Sequence, residues 1–269
     1  MSRLEILISS VNKDPGDLAD KLHIHSDAVI VNQKPGTRGK TEKDTFILDS
    51  FVIKTITMHD KGVGLSRNTA LENATAEIIQ FGDDDIVYDA GYVNRVLEEF
   101  DAHPEADVLL FNVQQQPGRE TYHNEDFKKV SWYNYGRYPA YAICARRQKI
   151  VDSGVKYSLL FGGGAPYMNG EDSLFLHDLL KAGLNIYRTP VDIGHELATG
   201  TSTWFEGYTD KFFYDRGVLY HFLYGKSAYL WGFRFLFKNR DEMCREKGFL
   251  KCFRLLRKGV RHGRTLKKV

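Results

Sequence analysis

Three consecutive aspartates, Asp83, Asp84 and Asp85, follow the apolar run Ile78-Ile79-Gln80-Phe81. Carboxylates packed this closely repel one another, so a chain that holds them at a strand end usually supplies a cation. Mg²⁺ and Mn²⁺ prefer a few carboxylates together with substrate phosphates, so the triplet points to a phosphorylated donor rather than a closed metal cage. The alternative is a solvated acidic turn. A second acid pair, Glu171-Asp172, opens an amphipathic segment with Leu174, Phe175, Leu179 and Leu180 on one face, just after Phe161-Gly162-Gly163-Gly164. Acids in a first helical turn complement the helix dipole without any further role. A carboxylate beside a glycine loop that lets a substrate approach backbone can also serve as a general base.

Lys61-Gly62-Val63-Gly64-Leu65-Ser66-Arg67 sets two glycines and several polar donors at a helix start, an arrangement suited to phosphate, with Arg67 adding a bidentate contact. It is neither a dinucleotide fingerprint nor a P-loop, because the third glycine and the Gly-Lys-Ser/Thr ending are missing. A glycine turn with a Ser cap is the other reading. His195 follows the strand-like Leu184 to Arg188; beside an acidic site it suits a metal ligand, and otherwise it is structural. The other histidines form no metal signature.

These groups need a scaffold. Leu4 to Val11 reads as a buried strand and Asp27 to Gln33 as a second, with helical Asp17 to Leu22 between them, a βαβ unit. Lys34 to Lys43 reads as a polar loop and Phe51 to Thr57 as a strand. Ser66 to Ile79 carries Ala70, Leu71, Ala74 and Ile78 on one helical face and runs into a short strand that ends at the aspartates. Tyr92 to Phe100 is a further helix and Asp107 to Val113 a further strand. The order predicts an α/β chain with a mainly parallel, Rossmann-like sheet flanked by helices. Ligands of such sheets sit outside the carboxyl ends of the strands. Ser9-Ser10, Asn32-Gln33 and Asp83 to Asp85 fall on that edge.

With 269 residues and 42% hydrophobic content the chain can bury one large core with an appended subdomain. Many of its aromatic residues follow residue 200, so a soft boundary near Ser202 to Tyr208 separates residues 1–205 from a helical, aromatic and basic extension, 206–269. Cys144, Cys244 and Cys252 are too scattered for a disulfide framework, which suits a reducing, cytoplasmic setting. No signal peptide is evident, and the apolar stretch from Gly217 to Phe237 is broken by His221, Lys226 and Arg234, so no membrane span is expected.

In order and spacing, these elements resemble family 2 glycosyltransferases of the GT-A fold, of the bacterial type that assembles capsular or exopolysaccharide, over about residues 4 to 200. The carriers are the strand ending at Ser9-Ser10-Val11, the segment Gly64-Leu65-Ser66-Arg67-Asn68-Thr69-Ala70, the aspartate triplet and Gly170-Glu171-Asp172. The resemblance implies transfer of a hexosyl group from a nucleotide-sugar donor, UDP-linked, to a saccharide or lipid-linked saccharide acceptor, with Mn²⁺ or Mg²⁺ as cofactor. Ser9, Ser10, Val11, Asn32 and Gln33 would face the nucleotide, and Arg67 and Asp83 the uridine and ribose. Lys61 and Gly64 would lie by the phosphates, and Asp84 or Asp85, with His195, would hold the metal. Asp172 would be the base, with Glu171 next in line. One base and one metal suffice for single-step inversion. Many relatives carry an aspartate where Gly82 stands. Of the Gln-x-x-Arg-Trp motif of processive members only Trp204 is kept, so a non-processive enzyme is implied.

Three other readings compete. A nucleotidyltransferase acting on a sugar phosphate also sets a metal-binding acid cluster on an α/β sheet. A non-catalytic metal- or carbohydrate-binding module would want an oxygen ligand and a glycine where Val87 and Tyr88 stand, if built as an EF-hand. Nucleic acid is disfavoured, because the body lacks a continuous basic groove. From Arg234 to Val269 the chain has 13 Lys and Arg against 3 Asp and Glu, net +10, which leaves −8 for the rest. Phe249, Cys252, Phe253, Leu256 and Val260 share a helical face, with Lys251, Arg254, Arg257, Lys258 and Arg261 on the remaining surface. Such a helix either lies on an anionic membrane, making the protein peripheral on the inner face of the cell membrane, or packs on the body with its basic side solvated.

Overall fold

The computed structural model describes residues 2–168, 170–198 and 207–267. Their elements are β1 (Leu4–Val11), α1 (Pro15–Lys21), β2 (Asp27–Gln33), β3 (Glu42–Leu48), β4 (Phe51–Met58), α2 (Val63–Asn73), β5 (Ile78–Asp83), β6 (Ile86–Tyr88), α3 (Tyr92–Ala102), β7 (Val108–Gln114), β8 (Lys128–Lys129), β9 (Ile143–Arg146), α4 (Arg147–Ser153), α5 (Glu171–Lys181), β10 (Ile186–Glu196), α6 (Asp210–Tyr224), α7 (Ala228–Lys238), α8 (Arg240–Met243) and α9 (Phe249–Gly263). One mixed sheet runs β3-β4-β2-β1-β5-β9-β7-β10-β6, with β8 added beside β10. Strands β4, β2, β1 and β5 are parallel, and β9 enters antiparallel between β5 and β7.

The apolar runs become central strands because both sheet faces are covered: Leu4, Ile6, Leu7 and Ile8 of β1 are fully buried. The parallel register sets Val11 opposite Gln33 and Ser9 opposite Asp83, which gathers three strand ends on one edge.

Two expectations differ from the structure. The polar stretch read as a loop through Lys43 already contains the start of β3, whose exposed Glu42 to Thr45 make a charged edge strand. The helix expected to reach Ile79 stops at Asn73. Buried Glu5 accepts the N–H groups of Thr75 (2.6 Å) and Ala76 (3.2 Å) and pairs with Lys54 at 2.9 Å, so those donors leave the helical ladder.

The carboxy-terminal helices share the core of the sheet rather than forming their own: Phe213, Leu219, Leu256 and Val260 belong to the same apolar cluster as Leu7 and Phe81. The boundary expected at 205/206 and the Trp204 motif lie outside the described residues. Helix α9 was expected to offer Cys252, Leu256 and Val260 to a membrane, but all three are fully buried against α6 and α7, so that face is taken. Helices α6 and α9 cross backbone to backbone: a Cβ on Gly259 would stand 1.9 Å from the Tyr214 carbonyl oxygen, and one on Gly217 2.1 Å from that of Leu256. In an open helix Gly→Ala stabilises by about 1 kcal/mol. Here Gly259→Ala is expected to destabilise by about 3 kcal/mol, read from urea unfolding, because backbone must move apart to admit a methyl. A raised midpoint would contradict the close crossing.

Candidate active site

Helix α2 starts against protein rather than against open space. The Val63 N–H donates to the Gly163 carbonyl at 2.8 Å, and a Cβ on Gly64 would stand 2.3 Å from the Ser158 carbonyl oxygen. The glycines let α2 lie on the segment after Val155, and Lys61, expected beside the phosphates, is exposed.

One turn on, Asn68 exchanges two hydrogen bonds with the backbone of Tyr157: its Nδ2 donates to the carbonyl at 2.9 Å and its Oδ1 accepts from the N–H at 2.8 Å. The Tyr157 ring then stacks on Phe175 of α5 (4.1 Å between centroids, 9° between planes), while Phe81 of β5 meets both edge-on at 5.2 and 5.6 Å. These contacts fix α2, β5 and α5 together beneath the polar groups.

Arg67 lies on this aromatic floor, its guanidinium 5.1 Å from the Tyr157 centroid and its side chain only 3% exposed. Nη2 donates to Asp83 Oδ1 at 2.8 Å, Nη1 to Asp172 Oδ1 at 2.7 Å, and Glu171 Oε1 stands 3.5 Å from Nη1. Burial disfavours the guanidinium charge, yet Asp172 and Asp83 more than offset this and hold the arginine firmly protonated. Among the described residues a single cation is set against three carboxylates here, which leaves excess negative charge. Burial pushes Asp172 up to about 8, with Glu171 and Asp83 adding to the rise and Arg67 opposing it. The arginine expected to face the uridine is therefore a tie between β5 and the start of α5.

The two acids of α5 divide their work. Glu171 Oε2 accepts from the Gly170 N–H at 2.9 Å, and its carboxyl carbon would lie 2.7 Å from a Cβ on Gly162, so it anchors the glycine loop. Asp172 is the more accessible, at 20% against 11% side-chain exposure. Helix α6 buttresses the approach to both. Asp215 accepts the Met168 N–H at 2.8 Å, Lys211 donates to the Pro166 carbonyl at 3.0 Å, and a Cβ on Gly170 would meet Leu219 at 2.3 Å.

The aspartate triplet splits three ways. Asp83 is neutralised by Arg67. Burial pushes Asp84 up, against Lys13 and the Val11 backbone. Asp85 is pushed up to about 7 by burial, with Asp83, Asp84 and Glu196 adding and Arg119 opposing. Among the described residues neither Asp84 nor Asp85 has an ion-pair partner within 4.0 Å. The residue of β10 whose charge reaches Asp85 is Glu196, itself 3.0 Å from Arg119, and not the expected His195. Successive residues of a strand face opposite sides, and His195 Nδ1 instead stands 3.4 Å from Asp89. Position 82 also points away: a Cβ on Gly82 would meet the Tyr88 hydroxyl at 2.6 Å, so an acid there would not join Asp83.

The expected nucleotide-facing amides have internal partners. Asn32 Nδ2 donates to the Lys13 carbonyl at 2.5 Å and its Oδ1 accepts the Lys13 N–H at 3.1 Å; Gln33 Nε2 donates to the Asp60 and Gly62 carbonyls, both at 3.1 Å. They build the rim. Ser10 Oγ is 3.4 Å from the Val31 carbonyl, the Ser9 hydroxyl is buried without a partner among the described residues, and Val11 is exposed at the edge. Sequence reasoning missed Lys13, Tyr157 and Glu196. Only Lys13, two residues past a strand end, carried a positional signal.

Residues 34–158, less than half of the chain, match the family model described as Glycosyl transferase family 2. The fold is similar to that of S. aureus TarS. Its residues 1–349 align with a TM-score of 0.59 at 14% identity, over 90% of this chain and 72% of that one. The same fragment in complex with UDP-GlcNAc also gives 0.59 at 14% identity, over 90% of this chain and 73% of that one. The longer TarS structure gives 0.54 at 14% identity, over 92% of this chain and 44% of that one. A search of curated proteins returns no match. The mixed, largely parallel sheet flanked by helices is thus a GT-A-like fold, with helices at its carboxy-terminal end.

Proposed function

We propose that the chain is a non-processive, inverting glycosyltransferase that moves a hexosyl group from a UDP-linked sugar to a saccharide or lipid-linked saccharide, as in assembly of a bacterial capsular or exopolysaccharide. The observation that carries this reading is the buried Arg67 tie, which sets the accessible acid Asp172 beside the strand-end acid Asp83. The family match over residues 34–158 and the likeness to a structure holding UDP-GlcNAc support the donor class.

In this reading the donor lies across the strand ends with its anomeric carbon toward α5. Asp172 accepts the proton of the acceptor hydroxyl as that oxygen attacks the anomeric carbon. The bond to the diphosphate oxygen breaks with its electron pair, and UDP leaves from the opposite face, so configuration inverts. Arg67, committed to carboxylates, keeps Asp172 oriented rather than neutralising the leaving group.

A divalent cation fits the acidic edge. Asp85 is a half-buried carboxylate without an ion-pair partner among the described residues, with Glu196 near, and Mg²⁺ or Mn²⁺ takes few carboxylates when phosphates complete the shell. Among the described residues no group of three or more His, Cys, Asp and Glu could hold an ion, so these carboxylates would need donor phosphates to complete the shell. Asp85 with Glu196 would hold it, and it would offset charge on the departing diphosphate.

Incubation of the purified chain with a panel of nucleotide sugars, with UDP release and product mass as readouts, tests the activity. Product from nucleoside triphosphates with pyrophosphate release would replace it with a nucleotidyltransferase. Calorimetric titration with UDP is expected to show binding at least about tenfold tighter with Mn²⁺ than in chelator. Asp85→Asn should remove that gain, and Asp84→Asn should keep most of it. Equal affinity in chelator would refute the metal role.

A further inference from the structure

Helix α7 presents an apolar row that the fold leaves uncovered. Leu230, Phe233 and Phe237 recur at i, i+3 and i+7 and are 68%, 44% and 52% exposed, and Leu250, the neighbour in sequence of Phe249 at the start of α9, is 78% exposed. The row is a built surface. Phe233 meets Phe249 and Phe253 edge-on at 5.4 and 5.5 Å and stacks on Phe237 at 6.0 Å, so the aromatic ridge joins α7 to the start of α9. It stands apart from the buried face of α9 that packs on α6.

Cations border the ridge on both helices. Arg234 and Lys238 follow Phe233 and Phe237 by one position along α7, and Arg254 and Arg257 stand one and four positions after Phe253 on α9; all four are exposed. Arg240 and Arg257 lie over Phe237 and Phe253, at 4.6 and 5.9 Å from the ring centroids. Of the acids around the ridge, Asp241 lies 3.6 Å from Arg240, Glu242 accepts from the Tyr208 hydroxyl, Asp210 faces Lys247 and Lys251, and Glu246 is exposed. An apolar strip edged by cations is complementary to hydrocarbon beneath a negatively charged interface. A second copy seated there would bring Arg and Lys against Arg and Lys, which opposes self-association.

We infer that the α7–α9 ridge is a docking surface for an anionic lipid bilayer, with Leu230, Phe233, Phe237 and Leu250 entering the interface and the flanking cations meeting lipid phosphates. No helix among the described residues is long and apolar enough to cross a membrane, so contact would be along the surface. The inference rests on this surface alone and stands apart from the catalytic reading.

The test is sedimentation of the full chain with vesicles of phosphatidylcholine, alone or with about 30 mol% phosphatidylglycerol, at low salt and at about 0.5 M salt. Expected is binding at least about tenfold stronger to the anionic vesicles, and weakened by salt. Leu230→Gln with Leu250→Gln, both outside the core, should weaken binding at least about tenfold without moving the urea midpoint. Leu230→Trp should shift its emission to the blue on anionic vesicles and be quenched by brominated lipid. Absence of binding at low salt, or undiminished binding of the double Gln variant, would overturn the assignment. So would a dimer in sedimentation velocity that the double Gln variant dissociates, since the ridge would then belong to a second copy. UDP titration on the same samples reports the catalytic site separately.

Discussion

Asp172→Asn is expected to lower turnover by about 10³-fold while donor affinity changes less than about twofold, because the amide keeps the shape and hydrogen bonding of the acid but cannot take a proton. The wild-type pH profile provides a second readout. Burial, with Glu171 and Asp83 adding, lifts Asp172 to about 8. The acid must be ionised to act, so kcat/KM should climb about tenfold per pH unit below about 8 and level off above it. The residual rate of Asp172→Asn should lack that limb. A variant with near-normal turnover would move the base elsewhere, and retention of configuration in the product, read by NMR, would exclude single displacement altogether.

Arg67→Met is expected to cost about 3 kcal/mol of stability near pH 8, because it removes the cation paired with Asp83, Glu171 and Asp172, whose side chains are only 30%, 11% and 20% exposed, and leaves their charge uncompensated. The sign with pH follows from proton uptake. Burial holds the Asp172 proton in the folded state to a higher pH than in the unfolded chain, and losing Arg67, which opposes that rise, extends it further. The folded variant thus binds more protons, and its stability falls as pH rises from 6 to 8. Urea unfolding at both pH values reads this directly. Arg67→Lys should recover part of the stability through its charge but not the activity, since an ammonium cannot reach Asp83 and Asp172 with two fixed N–H directions. Equal stability of Arg67→Met at the two pH values would mean that the carboxylates do not depend on the guanidinium.

Much of the scaffold was legible because it follows local rules. Apolar runs of strand length bounded by polar residues gave β1, β2 and β7 within a residue of their ends, α3 was expected to end two residues short of its last, and the 3.6-residue spacing gave α9. Where a long-range partner intervened, the local reading failed. The end of α2 depends on Glu5, some seventy positions away, which takes the N–H groups of Thr75 and Ala76. The face of α9 read as free for a membrane is buried because Gly217 and Gly259 let α6 approach to backbone contact, which hydrophobic periodicity alone does not reveal.

The sequence by itself determined which groups could act: the acids at the end of β5, the acid pair at the start of α5, and one arginine in the helix between them. Residue type and local spacing suffice for that, since a carboxylate offers the same chemistry wherever it is placed. Only the tertiary structure decided which carboxylate is neutralised and which is left wanting a proton or a cation. Arg67 meets Asp83 16 positions away and Asp172 105 positions away, while Glu196 reaches Asp85 from the neighbouring strand β10, where it stands opposite Ile86. Proton affinity depends on burial and on the summed charge within a few ångströms, quantities that exist only once distant segments are packed together.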